Sequence, residues 1–208
     1  MIINNPFWDA VKDCVEADSF RGNPVVGEFR LDRSVEESMA RFPNRQLLVR
    51  KYCWTIPDPD TVAFVAKHAR GSLVDPIAGT GYWAYLLTQL EVDVACYDLN
   101  PGAALLTNGW HGDDLYAQIS AKDCAEAVAL HPDRTLFLSW PPYAQDVGAR
   151  ILKAYKGNRV IYIGEDEGHT GDDEMHLIIE RHWTGVDSRQ PVQFWGVHDR
   201  VTVYERVS

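Results

Sequence analysis

Between residue 73 and the C-terminus, short apolar runs alternate with stretches compatible with helix. The runs are LVDPI (73–77), VDVACYDL (92–99), YAQIS (116–120), TLFLSW (135–140) and RVIYIG (159–164). Helix-compatible stretches follow Gly81, Pro101, Asp123, Tyr143 and Gly171. A strand that is apolar along its length is buried on both faces, so this rhythm predicts a parallel sheet with helices on each side. The end of the chain breaks the rhythm. There PVQFWGV (191–197) and RVTVYERV (200–207) are separated only by His198 and Asp199, which reads as an antiparallel β-hairpin.

Residues 1–57 show no such alternation. Asp32 or Ser34 is placed to cap a helix over SVEESMARF, acidic residues in its first turn complement the helix dipole, and Pro43 would stop it. In YCWTIPDPDTVAFVAKHARG (52–71), Asp58 is a candidate cap and Pro59 a first helical residue. Val62, Phe64, Val65 and Ala69 are spaced for one face, and Gly71 is the terminator. With 208 residues and 46% hydrophobic content, the chain suits one α/β domain at 58–208 with a helical N-terminal extension, 1–57, packed on it.

The segment LVDPIAGTGYWA (73–84) places Asp75 at the end of a strand, then Gly79 and Gly81 in the turn to a helix. Such a turn lets backbone approach a nucleoside-containing ligand while carboxylates hold its hydroxyl or amino groups. Position 84 is Ala, so the third glycine of the nicotinamide fingerprint is missing. Asp98 ends the next apolar run, and Asp123 opens the helix after the third, where it serves equally well as a helix cap. Three polar groups at the carboxyl ends of adjacent parallel strands form the edge where open α/β sheets bind ligands.

Charge and composition narrow the partners. A net charge of -10 works against attraction to nucleic acid, whose phosphates reward basic surfaces. No run approaches the roughly 18 apolar residues of a membrane span, and the start lacks the form of a secretion signal, so a cytoplasmic protein is expected. Cys14, Cys53, Cys96 and Cys124 are widely separated and form no CxxC pair. His169 and His176 lie in an acidic stretch that reads as a solvated loop and helix start, and no metal site is expected.

The order of these features resembles that of the class I S-adenosylmethionine-dependent methyltransferases, over about residues 52–207. The resemblance implies a Rossmann-like three-layer α/β sandwich, with a seven-stranded, mainly parallel sheet ending in an antiparallel hairpin. It also implies S-adenosyl-L-methionine as cofactor. Asp75, Gly79 and Gly81 then stand at its methionine end, Asp98 and Leu99 beside its ribose, Asp123 and Cys124 beside its adenine, and Ser139 between cofactor and acceptor.

The fourth apolar run leads into Ser139-Trp140-Pro141-Pro142-Tyr143, which resembles the turn of amino-methyltransferases in which a polar residue, Pro-Pro and an aromatic ring face the acceptor nitrogen. Two prolines fix their own φ and withdraw their amides from pairing, so the turn is rigid and nearby carbonyls remain free to accept hydrogen bonds. Here Trp140 stands in the polar place, one residue after Ser139. Trp140 and Tyr143, with Tyr82 and Trp83, are candidates for an aromatic wall beside a sulfonium or a cationic substrate. Tyr52 and Trp54 precede the first strand, where they either cover the cofactor or pack the core. Glu165 follows the fifth run and is a candidate for positioning the substrate.

The leading expectation is therefore a methyltransferase acting on N or O of a small molecule or protein side chain. Alternatives are a nucleic-acid amino-methyltransferase and a non-catalytic S-adenosylmethionine-binding module. A nicotinamide oxidoreductase would leave the Pro-Pro turn and terminal hairpin unexplained.

Overall fold

A computed structural model describes residues 3–28, 32–40, 43–102, 114–165 and 169–207. The N-terminal extension carries helices α1 (Pro6–Val11), α2 (Val35–Ala40) and α3 (Arg45–Lys51). Ser34 caps α2 reciprocally: its Oγ accepts the Glu37 N–H at 3.1 Å, and the Glu37 carboxylate accepts the Ser34 N–H at 3.0 Å. The extension also contains two strands that its sequence pattern did not announce, β1 (Val15–Ala17) and β2 (Pro24–Val26), paired antiparallel. Strands of three residues are too short to show a period. Helix α4 (Pro59–His68) starts as expected, with the Asp58 carboxylate accepting the Thr61 N–H at 3.0 Å.

From there the chain runs β3 (Ser72–Asp75), α5 (Tyr82–Thr88), β4 (Asp93–Asp98), β5 (Ser120–Ala121), α6 (Cys124–Ala129), β6 (Thr135–Ser139), α7 (Val147–Ala154), β7 (Arg159–Gly164), α8 (Asp173–His182), β8 (Trp183–Arg189), β9 (Gln193–Phe194) and β10 (Arg200–Arg206). The helix-compatible stretch after Pro101 falls at 103–113, outside the described residues. Seven strands form one sheet in the order β5-β4-β3-β6-β7-β10-β8, parallel except for β10, which is antiparallel to both neighbours. This is the Rossmann-like sheet with an antiparallel hairpin.

The hairpin's first strand differs from the expectation. Its partners are β8 and β10, whereas of PVQFWGV only β9 is extended, and it pairs parallel with β2 in a separate three-stranded sheet. β8, with sequence WTGVDSR, lies at the sheet's edge and buries only Trp183 fully. Its polar composition hid it from a search for apolar runs.

All six residues of β7 and four of five in β6 are buried. Because side chains alternate across a strand, Phe137, Ile161 and Ile163 enter one core with Leu86 of α5, Val62 of α4 and Phe7, Val11 and Val49 of the extension. Leu136, Leu138, Val160 and Tyr162 enter the other, against α6, α7 and α8. Polar pairing also ties the extension to α5. The Tyr82 hydroxyl accepts the Phe7 N–H at 3.0 Å and donates to Asn5 Oδ1 at 2.9 Å. Tyr82→Phe leaves both partners buried without this hydroxyl, and should lower stability by about 1–3 kcal/mol, read as a drop in urea midpoint at unchanged slope. An unchanged midpoint would mean that apolar contact alone seats α1.

Candidate functional site

The carboxyl ends of β3, β4, β6 and β7 converge on one edge of the sheet, and the antiparallel β10 brings its N-terminal end to the same edge, with Arg200 opposite Gly164. Asp75 ends β3 only 3% exposed. Its Oδ1 accepts the Ile77 N–H at 3.3 Å, and Oδ2 receives no donor among the described residues. Burial raises its pKa to about 7, opposed by the Ile77 N–H and reinforced by Asp98.

The turn after β3 is held from three sides. The Asp98 carboxylate accepts the Gly79 N–H at 3.0 Å, the Ala78 N–H donates to the Tyr97 carbonyl at 2.9 Å, and the Thr80 hydroxyl donates to the Tyr52 carbonyl of the extension. Gly81 has φ +74°, and a Cβ there would lie 3.0 Å from the Ala117 Cβ, so both backbone shape and space call for glycine. Asp98 is partly exposed at the end of β4 and Leu99 is 66% exposed beside it. A donor-free oxygen on a buried carboxylate suits an ammonium, and a partly exposed carboxylate next to a glycine turn suits ribose hydroxyls. The residues present therefore fit the methionine and ribose parts of S-adenosylmethionine.

Asp123 is committed differently. It caps α6, accepting from the Ala125 and Glu126 N–H groups at 2.9 and 3.4 Å, and its other oxygen accepts from Arg150 at 2.6 Å. The Arg150 guanidinium, ahead of the cap bonds, holds its pKa below the usual carboxylate value. Its side chain thus acts as the cap of α6. Cys124 follows it, buried.

At the other half of the edge, Ser139 ends β6 and Trp140 leaves the extended region with φ +51°. The side-to-side alternation of a strand therefore ends at Ser139. The Trp140 N–H donates to the Ile163 carbonyl at 2.9 Å, and its indole Nε1–H donates to Asp199 Oδ1 at 2.9 Å. Its ring stacks on Trp54 with centroids 4.9 Å apart and planes at 12°. Asp199 is 3% exposed and accepts the Thr55 hydroxyl on Oδ2 at 2.7 Å, while the Gln193 side chain donates to its carbonyl. Burial raises the Asp199 pKa to about 7; Thr55 opposes this, Glu165 reinforces it, and Trp140 and Arg45 oppose it. Glu165 is buried, with Oε1 accepting the His198 N–H at 2.7 Å. The Pro141 carbonyl already accepts the Gly171 N–H at 2.8 Å, so it is not wholly free for an acceptor, while Pro142 is partly exposed and Tyr143 is 60% exposed.

The structure thus brings Asp75, Gly79, Gly81 and Asp98 together on one side, and Ser139, Trp140 and Glu165 together on the other. Tyr82 and Trp83 do not join the aromatic wall: they are 1% and 4% exposed and pack the core. Tyr52 is likewise buried, but its carbonyl anchors the glycine turn. Sequence reasoning missed Asp199, Thr55 and Gln193. Asp199 had been placed in a hairpin turn, and no local signal marks a turn residue that becomes buried through contacts 59 and 144 positions away.

No family model and no curated protein matches this chain. Solved structures do resemble it. TrmN from Thermus thermophilus is 17% identical, covering 72% of this chain and 49% of that one, with TM-score 0.48. An rRNA methylase from Streptococcus thermophilus is 16% identical, covering 73% and 97%, with TM-score 0.45. The 1,6-didemethyltoxoflavin-N1-methyltransferase from Burkholderia thailandensis, solved with 1,6-didemethyltoxoflavin and S-adenosylhomocysteine, is 17% identical, covering 72% and 78%, with TM-score 0.46. The chain spans about half the length of the first of these.

The buried carboxyls make stability depend on pH. Asp75 has a folded-state value of about 7 against 3.8 for the free group, so between those values the unfolded chain binds fewer protons. Stability contributed by the neutral carboxyl therefore falls as pH rises through that window, by about 1.4 kcal/mol per pH unit, and levels off above it. Asp75→Asn, neutral throughout, should gain on the wild type progressively from about pH 4 to 7 in guanidinium midpoint. A difference that stays constant with pH would contradict the raised value.

Proposed function

We propose that this chain is an S-adenosylmethionine-dependent methyltransferase whose acceptor is a small molecule or protein side chain. The observation that carries the reading is the meeting of the buried Asp75, the Gly79 to Gly81 turn and Asp98 at adjacent strand ends, beside a separate group of polar and aromatic residues at the ends of β6 and β7. One half has the chemistry to hold a nucleoside-containing cation, and the other can hold a second molecule next to it.

In this reading Asp75 holds the cofactor's ammonium through the oxygen that Ile77 leaves free, and Asp98 holds ribose hydroxyls while its bond to Gly79 keeps the turn closed on the ligand. Leu99 offers apolar cover beside the ribose, and the start of α6 at Asp123 and Cys124 supplies the adenine side, with the Asp123 carboxylate kept by Arg150. Ser139 stands between the halves. Trp140, Pro141, Pro142, Tyr143 and Glu165 position the acceptor. S-adenosylmethionine held by these residues would supply an electrophilic methyl group on a sulfonium to an acceptor nitrogen or oxygen on the other half of the site. Such a transfer depends mainly on alignment, which a rigid Pro-Pro turn and a buried, hydrogen-bonded Glu165 favour.

The net charge of -10 disfavours a nucleic-acid acceptor. Calorimetric titration with S-adenosylmethionine, S-adenosylhomocysteine and NAD tests the cofactor class; binding of NAD alone would sink the proposal. Asp98→Ala should weaken S-adenosylmethionine binding by roughly 10- to 100-fold, the worth of charge-assisted hydrogen bonds to hydroxyls. Unchanged affinity would remove Asp98 from the ribose site. Incubation of cell extract with isotopically labelled methyl donor, followed by separation into low-mass, protein and nucleic-acid fractions, reads out the acceptor class. Tight binding with no transfer to any fraction would favour the non-catalytic module.

A further inference from the structure

We propose that Asp199 is a positioning residue that fixes the Trp140 indole as the wall of the acceptor side, so that the molecule accepted there is planar and ring-bearing; this rests on the methyltransferase reading of the adjoining half. Trp140 is held at three points besides its chain neighbours: backbone N–H to Ile163, indole N–H to Asp199, and ring face to Trp54. Its left-handed backbone conformation is costly for a bulky aromatic residue and persists only where surrounding contacts impose it. Trp140 as a whole is only partly buried. Packing alone would not require the left-handed backbone at Trp140.

Asp199 is itself over-determined. Thr55 donates to its second oxygen, Gln193 of β9 donates to its carbonyl, and β9 is hydrogen-bonded to β2 of the extension. An aromatic surface whose rotamer is fixed beforehand binds a flat ring without losing side-chain freedom at the moment of contact.

The test uses the full chain, labelled S-adenosylmethionine and a protein-free, low-mass metabolite extract, together with indole N–H resonances of nitrogen-15-labelled protein. In the wild type, the resonance that disappears in Trp140→Phe should exchange slowly with solvent. Asp199→Ala should speed that exchange by at least about tenfold, as expected for loss of a buried partner. It should also raise the extract concentration giving half-maximal labelling by about tenfold, with the maximal rate held within about threefold and S-adenosylmethionine affinity within about twofold.

Asp199→Asn should restore both, because its oxygen can accept from Trp140 while its amide donates to the Thr55 hydroxyl. Labelled product should co-elute with an ultraviolet-absorbing ring compound. Retained slow exchange in Asp199→Ala, or an Asp199→Asn protein as impaired as Asp199→Ala, overturns the positioning role. Label found only in aliphatic products, or in no low-mass product, overturns the planar acceptor. Should Asp199→Ala fail to fold, Thr55→Val, which removes one of the two donors to the Asp199 carboxylate, is read by the same exchange and half-saturation measurements. Absence of S-adenosylmethionine binding by the wild type defeats the methyltransferase reading instead, and the exchange comparison still decides whether Asp199 holds the ring.

Discussion

Burial of β6 and β7 on both faces is the constraint on which the rest of the structure depends. Their side chains alternate between two apolar cores, so the middle of each strand is apolar apart from the Tyr162 hydroxyl, while the polar Thr135, Ser139 and Arg159 stand at strand ends. Polar chemistry is displaced to where the strands end. That is why Asp75, Asp98, Ser139 and Glu165, far apart in the chain, share one edge. The antiparallel β10 adds to this edge from the opposite direction: its beginning, not its end, lies there, and it brings Asp199 beside Glu165.

The N-terminal extension is part of both halves of the site. On one side the Tyr52 carbonyl accepts the Thr80 hydroxyl and so fixes the glycine turn, while Asn5 and the Phe7 amide engage the Tyr82 hydroxyl just beyond it. On the other side Trp54 and Thr55 contact Trp140 and Asp199, and β2 supports β9, whose Gln193 holds the Asp199 backbone. A hydrophobic link alone could slide. Hydrogen bonds to buried partners set a register, because leaving those partners unpaired costs the full desolvation of each group.

Much of the sheet was legible in the chain because full burial leaves an apolar run that can be counted. β3, β4, β6 and β7 fall on such runs, whereas the exposed β5 overlaps YAQIS only at Ser120; α4, α5 and α6 begin at the expected Asp58, Gly81 and Asp123, while α7 starts at Val147, beyond Tyr143, and α8 at Asp173, beyond Gly171. The glycine turn and the two carboxylates that end β3 and β4 were legible for a related reason: strand ends and turns have local sequence marks. β8 was not, since an edge strand exposed along most of its length has no apolar run, and the chain's own pattern pointed to PVQFWGV in its place. Asp123 looked alike in sequence as cap and as ligand. Only the arrival of Arg150 from α7 assigned its second oxygen.

Sequence by itself determined the parallel core, the glycine turn and the acidic strand ends, because burial and backbone geometry act on neighbouring residues and leave a local pattern. Tertiary structure alone decided what faces the second half of the edge. Trp140, Trp54, Thr55, Gln193 and Asp199 come from four separate segments, and each owes its orientation to a partner that no local pattern names. An aromatic ring in a polar residue's place is only a departure when read along the chain. In three dimensions it is a side chain held by a buried carboxylate, and long-range hydrogen bonding, not propensity, puts it there.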